Sequence, residues 1–307
     1  MGRLKVIKYL CLPRKKTKKI FYKLIATLSN SILSVSINSK GAELISIQNN
    51  QTKREYIWEG NPEYWGKHSP ILFPVVGTLK NNAYQLNGQN YTLPRHGFAR
   101  DCEFEIISQE ADKIIFSLQE NTASLAVYPF AFELQVGYTL IENELVVTYL
   151  IRNKSQSTMP FSIGGHPAFA LKNAFTDYSL LFEKEENLIS YVLENDLISD
   201  KTAIVQLQQN ALPLRYSLFE KDALVFKNMA SKQIQLLENN VPILHFKYHD
   251  FPHFGIWTKV GAPFICLEPW LGYADTVAAN GNLMEKEGIT LLEANSEKEI
   301  SFSVEII

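Results

Sequence analysis

From residue 31 onward, apolar and polar residues alternate over 31–37, 132–140 and 300–306. A period of two places every second side chain on one face, the signature of a half-buried strand. Short runs rich in Val, Ile, Phe and Tyr at 103–107, 114–118, 144–151, 178–182, 243–248 and 264–267 predict further strands. Turn clusters at Asn81-Asn82, Asn87-Gly88 and Ile141-Glu-Asn-Glu144 stand where hairpins reverse. No long segment keeps a helical stripe. The pattern predicts an all-β chain, a large antiparallel sandwich with few short helices. Residues 31–307 contain no Pro-, Gly- or Ser-rich linker, repeat or low-complexity tract and read as a single domain.

Charge changes the picture at one end. Residues 1–30 hold nine of the 30 Lys and Arg and none of the 32 Asp and Glu. The remaining chain carries 21 basic against 32 acidic groups, a net charge of −11. An acidic body lacks the clustered cations that nucleic-acid binding requires, and a neutral small-molecule substrate fits it better. The basic head, 1–30, reads as a disordered extension or an upstream start, with a strand beginning near Ile25. Phe21, Leu24, Ile25 and Leu28 also have helical spacing among lysines, which leaves open a helix lying on an anionic membrane surface. No apolar run approaches a bilayer span, and the head lacks an apolar stretch with a small-residue cleavage site. Cys11, Cys102 and Cys266 are odd in number and far apart, which suggests neither a disulfide framework nor a zinc site, and a reduced, cytoplasmic setting is expected.

Four stretches put ionisable residues beside Gly, Pro or aromatics. In Pro94-Arg-His-Gly-Phe-Ala-Arg100, His96 is flanked by Arg95 and Arg100, and Gly97 relieves crowding; a surface-loop histidine reads equally well. In Phe161-Ser-Ile-Gly-Gly-His-Pro-Ala-Phe169, Gly164 and Gly165 permit special backbone geometry and Pro167 stiffens the chain. A histidine held by such a turn is placed to exchange a proton near neutral pH. In Ala262-Pro-Phe-Ile-Cys-Leu-Glu-Pro-Trp-Leu-Gly272, Glu268 closes an apolar run and Trp270 offers a flat face for a sugar ring. Partial desolvation there would raise the carboxyl pKa and make a competent base; the other reading is an exposed carboxylate at a strand end. Asp222 opens a short apolar strand and means little alone.

Together these segments resemble the aldose 1-epimerase (galactose mutarotase) superfamily, and its LacX branch in particular. The likeness is carried by Pro70-Ile-Leu-Phe-Pro74, Arg95-His-Gly-Phe98, Gly165-His-Pro-Ala-Phe169, Tyr216-Ser-Leu-Phe219 with Asp222-Ala, Asp250-Phe-Pro252 and Leu267-Glu-Pro-Trp270, in that order, from about residue 30 to the end. The resemblance implies a β-supersandwich with its site in an open cleft on one broad sheet. It implies a cofactor-independent isomerase, monomeric or homodimeric, acting on a sugar, with no metal, nucleic acid or membrane partner. By matching positions, Glu268 would be the general base, His166 the general acid, His96 a second polar contact near the ring oxygen, and Asp222 a sugar-hydroxyl ligand. Mutarotation needs a proton to leave the C1 hydroxyl while another reaches the ring oxygen, so one acid and one base suffice.

The arginine that galactose and hexose-6-phosphate mutarotases place near the segment matching Ile71-Leu-Phe-Pro74 is missing; Lys67, His68 and Lys80 stand there. Arg95 and Lys67 are expected to help hold substrate, although which residue replaces that arginine stays open, and with Arg100 they would also suit a phosphate. Four further readings stay open. One is a hexose-6-phosphate mutarotase; another is a non-catalytic sugar-binding protein of the same fold, which would keep Trp257, Trp270 and Asp222 but need no acid and base pair. A glycoside hydrolase would use Asp222 and Glu268 as its two carboxylates. A metal enzyme would use His245, His249 and His253, spaced four apart, but that spacing converges only on a helix and 243–248 reads as strand.

Overall fold

The computed structural model describes residues 24–307. The basic residues from Arg3 to Lys23, Phe21 and Cys11 lie outside the described residues. The expected strand near Ile25 is present as Ile25–Ser29, paired antiparallel with Leu33–Asn38. The helical spacing therefore does not hold for Ile25 and Leu28.

Two large sheets dominate. One has nine strands and the other eight, and the named strands pair antiparallel throughout both. The nine-stranded sheet is built around the longest alternating segments, Phe132–Ile141, Glu144–Asn153 and Glu297–Ile306. Glu144–Asn153 is buried at every second residue from Leu145 to Asn153, as the period of two requires. Its neighbours Phe132–Ile141 and Glu297–Ile306 bring Leu134, Val136, Phe302 and Val304 into the same core. The only α-helix among the described residues is Thr122–Val127, started by Asn121, whose side chain accepts from the amides of Ala123 and Ser124. No helix among the described residues is long and apolar enough to cross a membrane.

The eight-stranded sheet positions the chemistry. Its central strand, Phe264–Leu271, pairs with His253–Trp257 on one side and with Ile163–Gly165 and Ala168–Ala170 on the other. Alternation splits this strand. Ile265 and Leu267 enter the main core, whereas Cys266, Glu268 and Trp270 stand on the opposite face.

Two sequence expectations change here. The strand does not stop at Glu268: it continues through Pro269 and Trp270 to Leu271, so Glu268 sits inside a paired, buried strand and not at an exposed end. Gly164 and Gly165 are not a turn either. Both belong to a strand, and a Cβ on Gly164 would lie 2.6 Å from the Trp270 ring, while one on Gly165 would meet Phe302 and Tyr149 at 3.1 Å. These glycines are required by close approach of neighbouring side chains, not by backbone conformation.

Candidate active site

A cavity of about 690 Å³ lies over the face bearing Glu268 and Trp270. Strands of the eight-stranded sheet supply Leu193, Ile198, Val225, Trp257, Glu268 and Trp270 to its lining, and loops supply Trp65, Gly77, Arg95, His96, Arg100, His166 and Asp222. Pairing across the sheet explains why distant segments converge. Gly255 stands opposite Glu268 and Gly164 opposite Trp270. A Cβ on Gly255 would come within 2.4 Å of the Trp270 indole, so that ring lies against bare backbone and is fixed in place.

At the floor, Glu268 is 1% exposed and its Oε1 is 3.3 Å from His166 Nε2. His166 follows the Ile163–Gly165 strand, with its amide donating to the Pro70 carbonyl at 3.1 Å. Its ring is stacked on Trp65 at 4.8 Å between centroids and meets Trp257 edge-on at 5.7 Å. Glu268 Oε2, His166 Nδ1 and Trp270 Nε1 are all buried without a hydrogen-bond partner in the protein. Unmet buried polar atoms are costly, and three of them around one cavity point to a polar ligand.

Burial sets the protonation of both groups. It pushes the Glu268 carboxyl well above its ordinary value, with the Arg95 charge opposing. It lowers His166 to about 3, with Arg95 and Arg100 adding to the effect. Desolvation disfavours the charged form in each case. Between these limits the pair holds a single proton, and moving it across the 3.3 Å gap interconverts the neutral pair and a carboxylate–imidazolium pair of equal net charge.

His96 lies beside this pair, 5.9 Å from the His166 ring between centroids. Its backbone is left-handed, with φ of 68°, and the following Gly97 at φ of 70° packs so closely that a Cβ would fall 2.2 Å from the Phe73 carbonyl oxygen. Gly97 thus lets the His96 loop dock on the Phe73–Pro74 backbone. The Gly77 amide donates to His96 Nδ1 at 3.1 Å. Burial keeps the ring neutral at ordinary pH, so only one of its two nitrogens can accept a hydrogen bond. Arg95 Nε stands 3.2 Å from His96 Nε2. Two N–H donors, Gly77 and Arg95, thus point at a neutral ring that can accept at only one nitrogen, and a ligand oxygen accepting from Arg95 would relieve the conflict.

Arg95 also spans the cavity, 2.9 Å from Asp196 and 3.8 Å from Asp222. The structure thus gathers Glu268, His166, His96, Arg95, Asp222 and Trp270 around one cavity. Lys67 does not join them. It is outside the lining, and its ammonium turns to Asp101 at 3.5 Å. The cation that does line the cavity from this region is Arg100, whose guanidinium donates to the Arg95 carbonyl at 2.7 Å. The three-histidine set does not converge: His245 is on a strand of the nine-stranded sheet beside Glu305, and His253 is on the eight-stranded sheet with Nδ1 at the Lys227 carbonyl. Trp65 and Asp196 escaped the sequence reading. Trp65 sits in a loop with no period, and Asp196 is at the turn between Ile189–Glu194 and Leu197–Ile204, where positive φ suits Asp for local reasons.

The family model for aldose 1-epimerase matches residues 25–296. The chain belongs to the aldose 1-epimerase family. It is 31% identical over 296 residues to the chromosomal Protein LacX of Lactococcus lactis subsp. lactis, which covers 91% of this chain and 98% of that protein. Among solved structures it is similar to a galactose mutarotase related enzyme from Lactobacillus acidophilus, at a TM-score of 0.88 and 32% identity over 92% of this chain and 97% of that one. A galactose mutarotase-like protein from Lactobacillus casei ATCC 334 has the same TM-score at 30% identity, over 92% of this chain and all of that one (100%). The aldose 1-epimerase match covers every cavity-lining residue and all of both large sheets except the last strand, Glu297–Ile306.

Proposed function

We propose that this chain is a mutarotase that interconverts the α and β anomers of a neutral aldose. The observation that carries this reading is the buried Glu268–His166 pair, 3.3 Å apart on the floor of a cavity flanked by tryptophans. From the carboxylate–imidazolium form, Glu268 accepts the C1 hydroxyl proton and His166 delivers one to the ring oxygen. The C1–O5 bond breaks, the aldehyde rotates, and the reverse steps close the other anomer. Acid and base must stand side by side because the hydroxyl and ring oxygen share one carbon. Neither a metal nor a nucleotide is needed to balance the protons.

The remaining residues bind and orient. His96 Nε2 and the Arg95 guanidinium meet at 3.2 Å on the cavity wall, where a sugar oxygen could replace their contact, which supports placing His96 near the ring oxygen. Asp222 is a hydroxyl ligand, and Trp270, held flat against Gly255, offers a ring face. A neutral sugar is favoured over a phosphate because Asp196 and Asp222 already meet the Arg95 charge. The test is saturation-transfer NMR between anomeric protons of free aldoses and hexose 6-phosphates. Catalysed exchange on a neutral aldose is expected. Binding without acceleration on any sugar would make the protein a carbohydrate-binding module, and a preference for glucose 6-phosphate over glucose and galactose would overturn the neutral-substrate reading.

A further inference from the structure

Cys266 precedes Glu268 by two residues on one strand, so thiol and carboxyl share a face. Ligand atoms of His166, Cys266 and Glu268 all lie within 4.8 Å of one another, and all three side chains are buried. The proton transfers above make no use of the thiol, which is free of any disulfide. Two of the neighbouring donors, His166 Nδ1 and Glu268 Oε2, have no partner in the protein. An imidazole and a carboxyl that line the cavity, with a thiol buried behind them, match a three-ligand tetrahedral site in which the fourth position faces the cavity. Metal–ligand bonds of about 2.0 to 2.3 Å put the ligands of such an ion roughly 3.3 to 3.8 Å apart. The 3.3 Å separation of His166 Nε2 and Glu268 Oε1 already fits, with Nδ1 and Oε2 left as the outer atoms of each group, and Cys266 needs to close by on the order of 1 Å at most.

We propose that His166, Cys266 and Glu268 together bind one thiophilic divalent cation of the Zn²⁺ type, and that this ion reversibly shuts the cavity to catalysis. Sulfur selects against Mg²⁺ and Ca²⁺, which prefer all-oxygen shells. Binding releases the thiol proton, and the carboxyl proton where present, to solvent; no electron moves, and affinity rises with pH. The ion occupies both the base and the acid, so it inhibits. The coordination rests on the three side chains alone, and only its effect on turnover rests on the mutarotase reading.

Cd²⁺ is the probe, because thiolate-to-cadmium absorption in the ultraviolet reports sulfur ligation without any activity. The intact chain, and a Cys11→Ser/Cys102→Ser variant, should each bind one Cd²⁺ with this band and lose it to Zn²⁺ competition. Cys266→Ser should abolish the band, while His166→Asn and Glu268→Gln should keep the thiol but weaken binding on the order of tenfold or more. Saturating Zn²⁺ should lower wild-type anomer exchange by roughly 10² to 10⁴-fold, with full recovery in EDTA. No band in the intact chain, a band surviving in Cys266→Ser, or unchanged affinity in both His166→Asn and Glu268→Gln would overturn the site. Tight Cd²⁺ binding with undiminished exchange would overturn the inhibition. Tight binding in a protein that never exchanges anomers would support the coordination and sink the mutarotase reading.

Discussion

At the residue scale, burial shifts the protonation of Glu268 and His166 in opposite directions and makes both expensive to keep. The His166 imidazole takes a second proton only near pH 3, and Glu268 gives up the pair's last proton only well above the ordinary carboxyl range. Exchange therefore needs the one-proton pair, and its pH profile should show no inflection near the free imidazole value of 6.5, with acid-side loss only near pH 3 and alkaline loss only above the ordinary carboxyl range. An acid limb centred at 6.5 would mean that an ordinary solvated histidine carries the reaction. Stability follows the same shifts. A carboxyl whose folded pKa is raised favours folding below its unfolded value and loses that contribution as pH rises through the folded value. Glu268→Gln, which removes the titrating group and keeps its shape, should therefore gain in melting temperature over wild type between pH 5 and pH 8. Thermal melts at both pH values test this, and a constant difference would contradict it.

These residues were legible in sequence to different degrees, for physical reasons. Glu268, His166 and His96 stood out because Gly, Pro and aromatics surround them in strand-forming sequence. The direction of the Glu268 shift followed from its apolar neighbours, but its depth did not, since the burial comes from strands far away in sequence. Lys67 was misplaced because sequence proximity to the Ile71–Leu72 strand says nothing about which way a long side chain turns, and Asp101 offers it a partner outside the cavity.

At the element scale, the central strand and its neighbours act as a rigid mount for Trp270. Gly255→Ala would drive a methyl into the indole, since the added Cβ lies 2.4 Å from the ring. Overpacking of this kind typically costs about 1 to 3 kcal/mol. Displacing the ring should also weaken sugar binding more than it slows bound-state exchange, which calorimetry and exchange NMR can separate. A second mount lies on the other side of the cavity. Lys286 and Asp275 form a buried ion pair at 3.2 Å, and Asp275 accepts the Lys80 amide at 2.9 Å, tying the 273–288 loop to the segment that carries Gly77. Gly77 in turn donates to His96. Lys286→Ala leaves Asp275 buried and unpaired, and should cost about 3 to 5 kcal/mol in denaturant unfolding. A change of a few tenths would show that the carboxylate finds water instead.

The strands themselves were the most readable elements. The run at 178–182 is the strand Tyr178–Phe182, and the alternating run at 132–140 is Phe132–Ile141. Half-buried strands advertise their period, whereas Phe264–Leu271 is buried at all but one position and conceals it, so its end at Leu271 was missed.

At the scale of the whole molecule, two antiparallel sheets share one core, and the outer face of the smaller sheet is left for ligand. On the proposal that Glu268 and His166 move both protons, exhaustive chelation with EDTA is predicted to leave anomer exchange intact, and loss restored by one specific ion would refute the account. The central claim is that Glu268 and His166 move the two protons. Glu268→Gln and His166→Asn keep approximate shape and hydrogen-bonding capacity but cannot act as base and acid. The direct measurement is saturation-transfer exchange alongside calorimetric sugar binding for wild type, both variants and Asp222→Asn. The account predicts exchange lower by roughly 10² to 10⁴-fold in Glu268→Gln and His166→Asn with sugar binding largely kept, and affinity lost more than turnover in Asp222→Asn. Near wild-type exchange in Glu268→Gln or His166→Asn would contradict it.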